Sequence, residues 1–246
     1  GLLFVVSAPS GTGKSTLAAS YARSRKKPLV WYRLDERDND PAFFYAEFAE
    51  AVHIQLRLKK PLPRFSSDDH DRQQEFAQRF ATALRDQLTK PALIVLDDVQ
   101  CITSEAMQGA LAALSTTTAN DNEILFVSLA TAPTTFFDAI AARQLALLND
   151  ADLRFDLDEC KKMIAALRIG DAHIESIAAL TGGHAGALIL ACELLRGTDP
   201  KSALGVETVD RIHSHLLTKL VERMPQERRE LLLRTAFVPQ LTRPIA

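Results

Sequence analysis

The sequence predicts an α/β fold: a parallel sheet with flanking helices, followed by an all-helical region. Three observations carry that prediction. Short apolar runs of strand length, at residues 2–6, 29–34, 93–96 and 124–129, are separated by segments of helical periodicity. The run Leu93-Ile94-Val95-Leu96 does not alternate in polarity, which suits a strand buried on both faces of a parallel sheet. From about Asp156 onward the strand signals stop and only helical patterns follow.

Taken in order, residues 2–6 form a strand, a Ser-, Pro- and Gly-containing loop follows, and residues 13–22 carry a helical pattern. The second strand, 29–34, runs into Asp35-Glu36-Arg37-Asp38-Asn39-Asp40-Pro41, a polar turn whose proline suits the first position of a helix starting near Ala42. Phe44, Phe48, Val52 and Leu56 share one face of that helix. Residues 59–71, with Pro61 and Pro63, read as a linker or exposed loop, and a further helix runs to about Leu88. Strand 93–96 ends on Asp97 and Asp98. Helix 104–114, polar loop 115–122 and strand 124–129 complete another strand-helix-strand unit. Helical patterns then cover 156–167, 171–180, 185–195 and 206–224. Asp156 with Glu159 three residues on has the form of a capping box, and Gly170, Gly182 and Gly183 punctuate the later helices. The expected divisions are 1–150, 151–212 and 213–246. The chain opens directly on an apolar run and ends soon after an unfinished helical stretch, so an excised piece is expected.

Composition bounds the function. A chain of 246 residues with 47% hydrophobic and 24% charged residues is that of a folded globular protein. Its formal net charge of -2 supplies no electrostatic footprint for a nucleic-acid backbone, so any DNA contact is expected through regions absent from this sequence. Cys101, Cys160 and Cys192 stand far apart without a CxxC pair and read as reduced, buried thiols. His213 and His215 lie two apart on a predicted helix and do not share a face, so they make no metal site. No apolar run is long enough to cross a bilayer and no signal segment opens the chain, so no membrane partner and a cytoplasmic location are expected.

The chemistry is concentrated in two places. Ala8-Pro9-Ser10-Gly11-Thr12-Gly13-Lys14-Ser15-Thr16 fits the Walker A pattern GxxxxGK[ST], with Ala8 in the first glycine's place. Such a loop wraps phosphates with backbone N–H groups, and the following helix's N-terminus favours negative charge. Lys14 is expected to reach the β- and γ-phosphates, Ser15 to ligate magnesium and Thr16 to lie beside the α-phosphate. A glycine-rich turn with a chance lysine is the bland alternative, and the flanking strand and helix speak against it. The run Arg23, Arg25, Lys26, Lys27 is ordinary compensation of a helix C-terminus.

Residues 93–98 have the Walker B form, an apolar strand ending in acid. Asp97 is the metal-side candidate. Asp98 is the candidate to polarise an attacking water, against the alternative of a solvated charge before the next helix. No NKxD-like guanine-reading motif follows, so ATP/ADP with Mg2+ are the expected ligands. These features define a P-loop nucleotide-binding core over 1–150.

The sequence also resembles the STAND ATPases of the maltose-regulator type, found in large LuxR-family transcriptional regulators. The resemblance rests on residues 7–16, on Val30-Trp31-Tyr32-Arg33-Leu34-Asp35 with Asp38-Asn39-Asp40-Pro41, and on Leu96-Asp97-Asp98. It continues in Asp152-Leu153-Arg154-Phe155, Thr181-Gly182-Gly183-His184 and Leu231-Leu232-Leu233-Arg234-Thr235. It implies a helical lid over 151–212, the truncated start of a winged-helix domain over 213–246, and a nucleotide-controlled population switch that self-associates in the ATP state. Two departures accompany it. The family's sensor arginine after the fourth core strand is missing from Ser128-Leu129-Ala130-Thr131, and the lid proline is replaced by Ala185.

The main reading is therefore a regulatory ATPase switch, with slow or impaired hydrolysis, in a larger transcription-regulating protein. Lys14, Ser15 and Asp97 hold Mg-ATP in this reading, and Asp98 activates water. A P-loop kinase or phosphotransferase is one alternative, though Arg168 and Arg196 are too scattered to suggest a substrate lid. A non-hydrolysing interaction module stabilised by bound nucleotide is the other.

Overall fold

The computed structural model describes residues 2–118, 121–129, 145–167 and 174–195, with single positions between 210 and 234. Five strands form one sheet: β1 (Leu3–Ser7), β2 (Leu29–Arg33), β3 (Leu93–Asp97), β4 (Glu123–Ser128) and β5 (Leu145–Leu148). Their order is β2-β3-β4-β1-β5 and every pairing is parallel. Parallel neighbours require crossovers, which α1 (Lys14–Arg25), α2 (Pro41–Leu56), α3 (Gln73–Gln87) and α4 (Glu105–Leu114) supply.

Alternate strand residues feed two separate cores. Val5, Val30, Ile94, Leu96, Ile124 and Phe126 pack with Phe44 and Phe48 of α2 and with Phe76, Phe80 and Leu84 of α3. Val6, Leu93, Val95, Leu125 and Val127 pack instead with Ala18 and Ala22 of α1. Every residue of β3 is buried, as its non-alternating run requires. Pro41 is the first residue of α2, and the Asp40 carboxylate accepts from Ala42 N at 2.9 Å. Phe44, Phe48 and Val52 are buried, and Leu56 packs at the margin of the same cluster.

Three local features differ from expectation. Residues 59–71 are not wholly irregular: a 3-10 turn, Ser67–Arg72, is held by a capping box between Ser66 and Asp69. Cys101 is half-buried, unlike Cys160 and Cys192, and none of the three is in a disulfide. Strand β5 was not foreseen, because Leu-Ala-Leu-Leu carries no β-branched residue. It is a strand because its backbone pairs with β1 from Leu3↔Leu145 to Val6↔Leu148.

The chain divides into two compact units, Gly1–Arg154 and Phe155–Ala246. In the second, α5 (Leu157–Ala166), α6 (Ile174–Thr181) and α7 (Ala185–Leu195) surround Cys160, Ile164, Ile177, Leu188, Ala191 and Cys192. Asp156 starts α5 with a reciprocal box: Glu159 N donates to Asp156 Oδ1 at 2.8 Å, and Asp156 N to Glu159 Oε2 at 3.0 Å. The expected helix 206–224 and the expected winged-helix start at 213–246 fall, but for single positions, outside the described residues. Among the described residues no helix is long and apolar enough to cross a membrane.

Gly183 joins the start of this unit to the turn before α7. Its carbonyl accepts from Phe155 N at 2.9 Å, its φ is +72°, and a Cβ would lie 2.3 Å from the Phe155 carbonyl oxygen. The obstructing atom is backbone and cannot swing aside. Gly183→Ala is therefore expected to destabilise the helical unit by about 3 kcal/mol. A urea melt followed by circular dichroism checks this; an unchanged midpoint would show that the turn relaxes freely.

Candidate nucleotide-binding site

Strand β1 lies inside the sheet between β4 and β5, and the loop that leaves it turns over residues 8–13 before entering α1 at Lys14. Gly13 occupies the N-cap position with φ +91°, a left-handed conformation that glycine adopts without a Cβ penalty. No side-chain hydrogen bond caps α1, and its first turn holds no acid. An uncapped first turn presents N–H donors and the positive end of the helix dipole, which together suit an anion. Pro9, Ser10, Gly11, Ser15 and Thr16 are exposed, so the loop is open to a ligand.

The loop also holds its own curvature. Thr12 Oγ1 and Lys14 Nζ both donate to the Pro9 carbonyl, at 2.9 and 2.7 Å. Lys14 is buried, and that burial lowers its pKa, with the charges of Asp97, Asp98 and Asp150 opposing the shift. Ala8, standing where the pattern has glycine, is buried and is not among the positive-φ residues, so a methyl fits there without backbone strain. Its N–H donates to the Ser128 carbonyl at 3.3 Å, binding the loop to the end of β4.

Asp97 ends β3, and the sheet brings it to the loop. Ser15 Oγ donates to Asp97 Oδ2 at 3.2 Å, across 82 residues of sequence. A hydroxyl and a carboxylate are hard oxygen donors, the kind magnesium takes while drawing its remaining ligands from phosphate and water. Among the described residues no group of three or more His, Cys, Asp or Glu is placed to hold a metal ion. The donor set thus fits magnesium arriving with a phosphate chain better than it fits a metal held by protein side chains only.

Asp98 faces elsewhere. Its backbone is left-handed at φ +60°. Arg33 Nε donates to Asp98 Oδ2 at 2.6 Å, and Gln100 Nε2 to Asp98 Oδ1 at 2.8 Å. Burial pushes its pKa upward, but the hydrogen bonds from Gln100 and Arg33, with the charges of Arg33 and Lys14, outweigh it and hold the carboxyl below its ordinary value. The arginine comes from β2, where Arg33 is the register partner of Asp97.

Sequence reasoning missed Arg33 and Gln100 as neighbours of this acid, and no sequence signal gives the β2–β3 register. It did single out Asp-Asn-Asp-Pro, and the structure shows what that block does. Asp38, buried, accepts from Tyr32 Oη and from Asp35 N, each at 2.7 Å. Asn39 Nδ2 donates to the Cys101 carbonyl at 2.8 Å, while Asn39 Oδ1 accepts from Thr103 N at 2.8 Å and Ser104 N at 2.9 Å. The block therefore ties the exit of β2 to the loop that follows β3. Ala185 is the first residue of α7 and is buried, whereas Ala130 lies outside the described residues. Arg154 pairs with Asp150 at 2.8 Å.

Comparison with known proteins agrees with this geometry. Residues 1–136 match the family described as AAA domain. The serine/threonine-protein kinase PknK of Mycobacterium tuberculosis is 28% identical over 244 residues, which are 94% of this chain but 22% of that protein. The HTH-type transcriptional regulator MalT of Serratia proteamaculans is 32% identical over 116 residues, 44% of this chain and 12% of that protein. The chain thus spans under a quarter of either relative. The solved structure of the Aeropyrum pernix ORC1 protein in complex with DNA shares the fold, with a TM-score of 0.52 at 16% identity over 97% of this chain and 66% of that one. The loop before an uncapped helix, the acid at the end of β3 and the match over residues 1–136 agree: the chain belongs to the AAA domain family, as a P-loop ATPase domain with homology to MalT and PknK.

Proposed function

We propose that this chain is the ATP-controlled switch of a larger, transcription-regulating protein, built as a nucleotide core over 1–150, a helical lid over 151–212 and the start of a winged-helix region over 213–246. The meeting of Ser15 with Asp97 beside the uncapped α1 carries the reading. Backbone N–H groups of residues 10–13 cradle the phosphates, Thr16 lies by the α-phosphate, and Lys14 neutralises the β- and γ-phosphates. Ser15 and Asp97 hold magnesium, which when bound supplies charge neutralisation on the phosphate oxygens. The likeness to MalT, an HTH-type transcriptional regulator, supports the regulatory setting; self-association in the ATP state, DNA contacts through other regions and a cytoplasmic location belong to the same proposal.

Hydrolysis is slow in this reading. Asp98 is the group that takes the proton of the attacking water, yet both its oxygens accept hydrogen bonds, from Arg33 and Gln100. A carboxylate so engaged, with its pKa held down, is a weak base until Arg33 lets go. The phosphotransferase alternative has less support: among the described residues, Arg33 is bound to Asp98 and Arg154 to Asp150.

Phosphate release from ATP by wild type beside Asp98→Asn tests the assignment. The expected result is slow turnover that the substitution lowers by about 100-fold with little change in ATP affinity. Equal turnover in the two would remove Asp98 from the mechanism and favour the non-hydrolysing nucleotide-bound module.

A further inference from the structure

The loop leaving β3 carries a glutamine that spans two strand exits. Gln100 Nε2 donates to Asp98 Oδ1 at 2.8 Å, and Gln100 Oε1 accepts from Leu129 N at 2.8 Å, one residue beyond β4. These two bonds fix the amide's orientation. An N–H can be met only by the oxygen, so the NH2 group is turned to the carboxylate. Both ends of the loop are anchored: Cys101 N donates to the Asp98 carbonyl at 3.0 Å, and Asn39 holds Cys101, Thr103 and Ser104.

The two donors on Asp98 differ in permanence. The Arg33 side chain is 75% exposed, so its ion pair is open to screening and exchange with water. Gln100 is half-buried and bound at both ends. Once Arg33 leaves, Gln100 still grips Oδ1 and leaves Oδ2 with a lone pair for a water proton. Movement of the β4 exit moves Gln100 and with it the plane of the carboxylate.

We propose that Gln100 is the positioning residue for Asp98, setting the carboxylate's aim and coupling that aim to the exit of β4. This rests on the reading of Asp98 as the water-activating group. It also gives the chain a link between the β3 acid and the end of β4, where the sequence shows no arginine at Ala130.

Gln100→Ala and Gln100→Glu, each in the wild-type chain and in Asp98→Asn, test it by ATP titration and single-turnover phosphate release. Gln100→Glu is nearly isosteric and keeps an acceptor for Leu129 N, but cannot donate to Asp98. Both substitutions are expected to lower turnover by on the order of ten-fold, to leave ATP affinity within about two-fold, and to have no further effect in Asp98→Asn. Wild-type turnover in Gln100→Glu beside a loss in Gln100→Ala overturns the proposal, because Gln100 is then only a tether for the loop. So does an undiminished loss in the Asp98→Asn background. Wild type that binds ATP in a Lys14-dependent way but releases no phosphate overturns this proposal and leaves the binding reading standing. A chain that binds no ATP overturns both.

Discussion

Lys14→Ala is expected to weaken ATP binding by two orders of magnitude or more. A lysine ammonium facing two phosphate groups makes charge-assisted hydrogen bonds worth about 3 kcal/mol, and every 1.4 kcal/mol is tenfold in affinity. The protein already bears a cost to keep the group there, since Lys14 is buried and its pKa is pulled down. Removing it relieves that cost while forfeiting its bond to the Pro9 carbonyl and its attraction to Asp97, Asp98 and Asp150. The variant's unliganded stability is therefore expected to stay near that of the parent. Thermal melts with and without Mg-ATP separate the two effects: nucleotide at about 100 times the parent's Kd adds about 2.7 kcal/mol to the parent and no more than about 0.4 kcal/mol to the variant. A variant stabilised as much as the parent would place the phosphates away from this loop.

Glu123→Ala is expected to cost about 2–3 kcal/mol, the range for hydrogen bonds to a charged group, because the Arg25 and Lys27 side chains left behind are 39% and 17% exposed and can rehydrate. Glu123 opens β4 with its side chain 2% exposed. It accepts from Tyr21 Oη at 2.9 Å, from Lys27 Nζ at 2.8 Å and from the Arg25 guanidinium, tying the end of α1 to the sheet. Burial and its bond to Glu123 push the Tyr21 hydroxyl up to about 12, so Tyr21 stays a donor at all ordinary pH. For Glu123 itself burial raises the pKa, but the bonds from Arg25, Lys27 and Tyr21 outweigh it and the net shift is downward. A carboxyl whose folded pKa lies below its unfolded value stabilises the fold above the unfolded value and loses that contribution as the pH falls through the folded one. The gap between parent and Glu123→Gln, which keeps the shape but not the charge, is thus expected to be largest at neutral pH. It should narrow once the pH drops below the ordinary value of 4.5. Urea melts at neutral and acid pH measure this. A gap independent of pH would mean that Glu123 acts by packing and not by charge.

The parts of the fold that sequence rules describe came through nearly residue for residue. The strand at Leu93–Asp97, the proline opening α2 and the Asp156–Glu159 box each depend on groups within a few positions of one another. Strand β5 did not, since its four residues take their conformation from β1, more than a hundred residues away in the chain. The same divide runs through the site. Residues 8–16 and the acids at 97 and 98 were legible, because strand–loop–helix and strand–acid are short-range patterns. The partners of Asp98 were not, because Arg33 belongs to another strand and Gln100 depends on a bond to Leu129.

By itself, then, the sequence determined a phosphate loop on a parallel sheet, an acid at the end of β3 and a helical region after residue 155. Apolar periodicity, capping residues and glycine placement act locally and can be read from one stretch of chain. Only the tertiary structure decided that Ser15 meets Asp97 while Asp98 is held by Arg33 and Gln100. Strand register sets those pairings, and register is the outcome of burying all the strands' faces together.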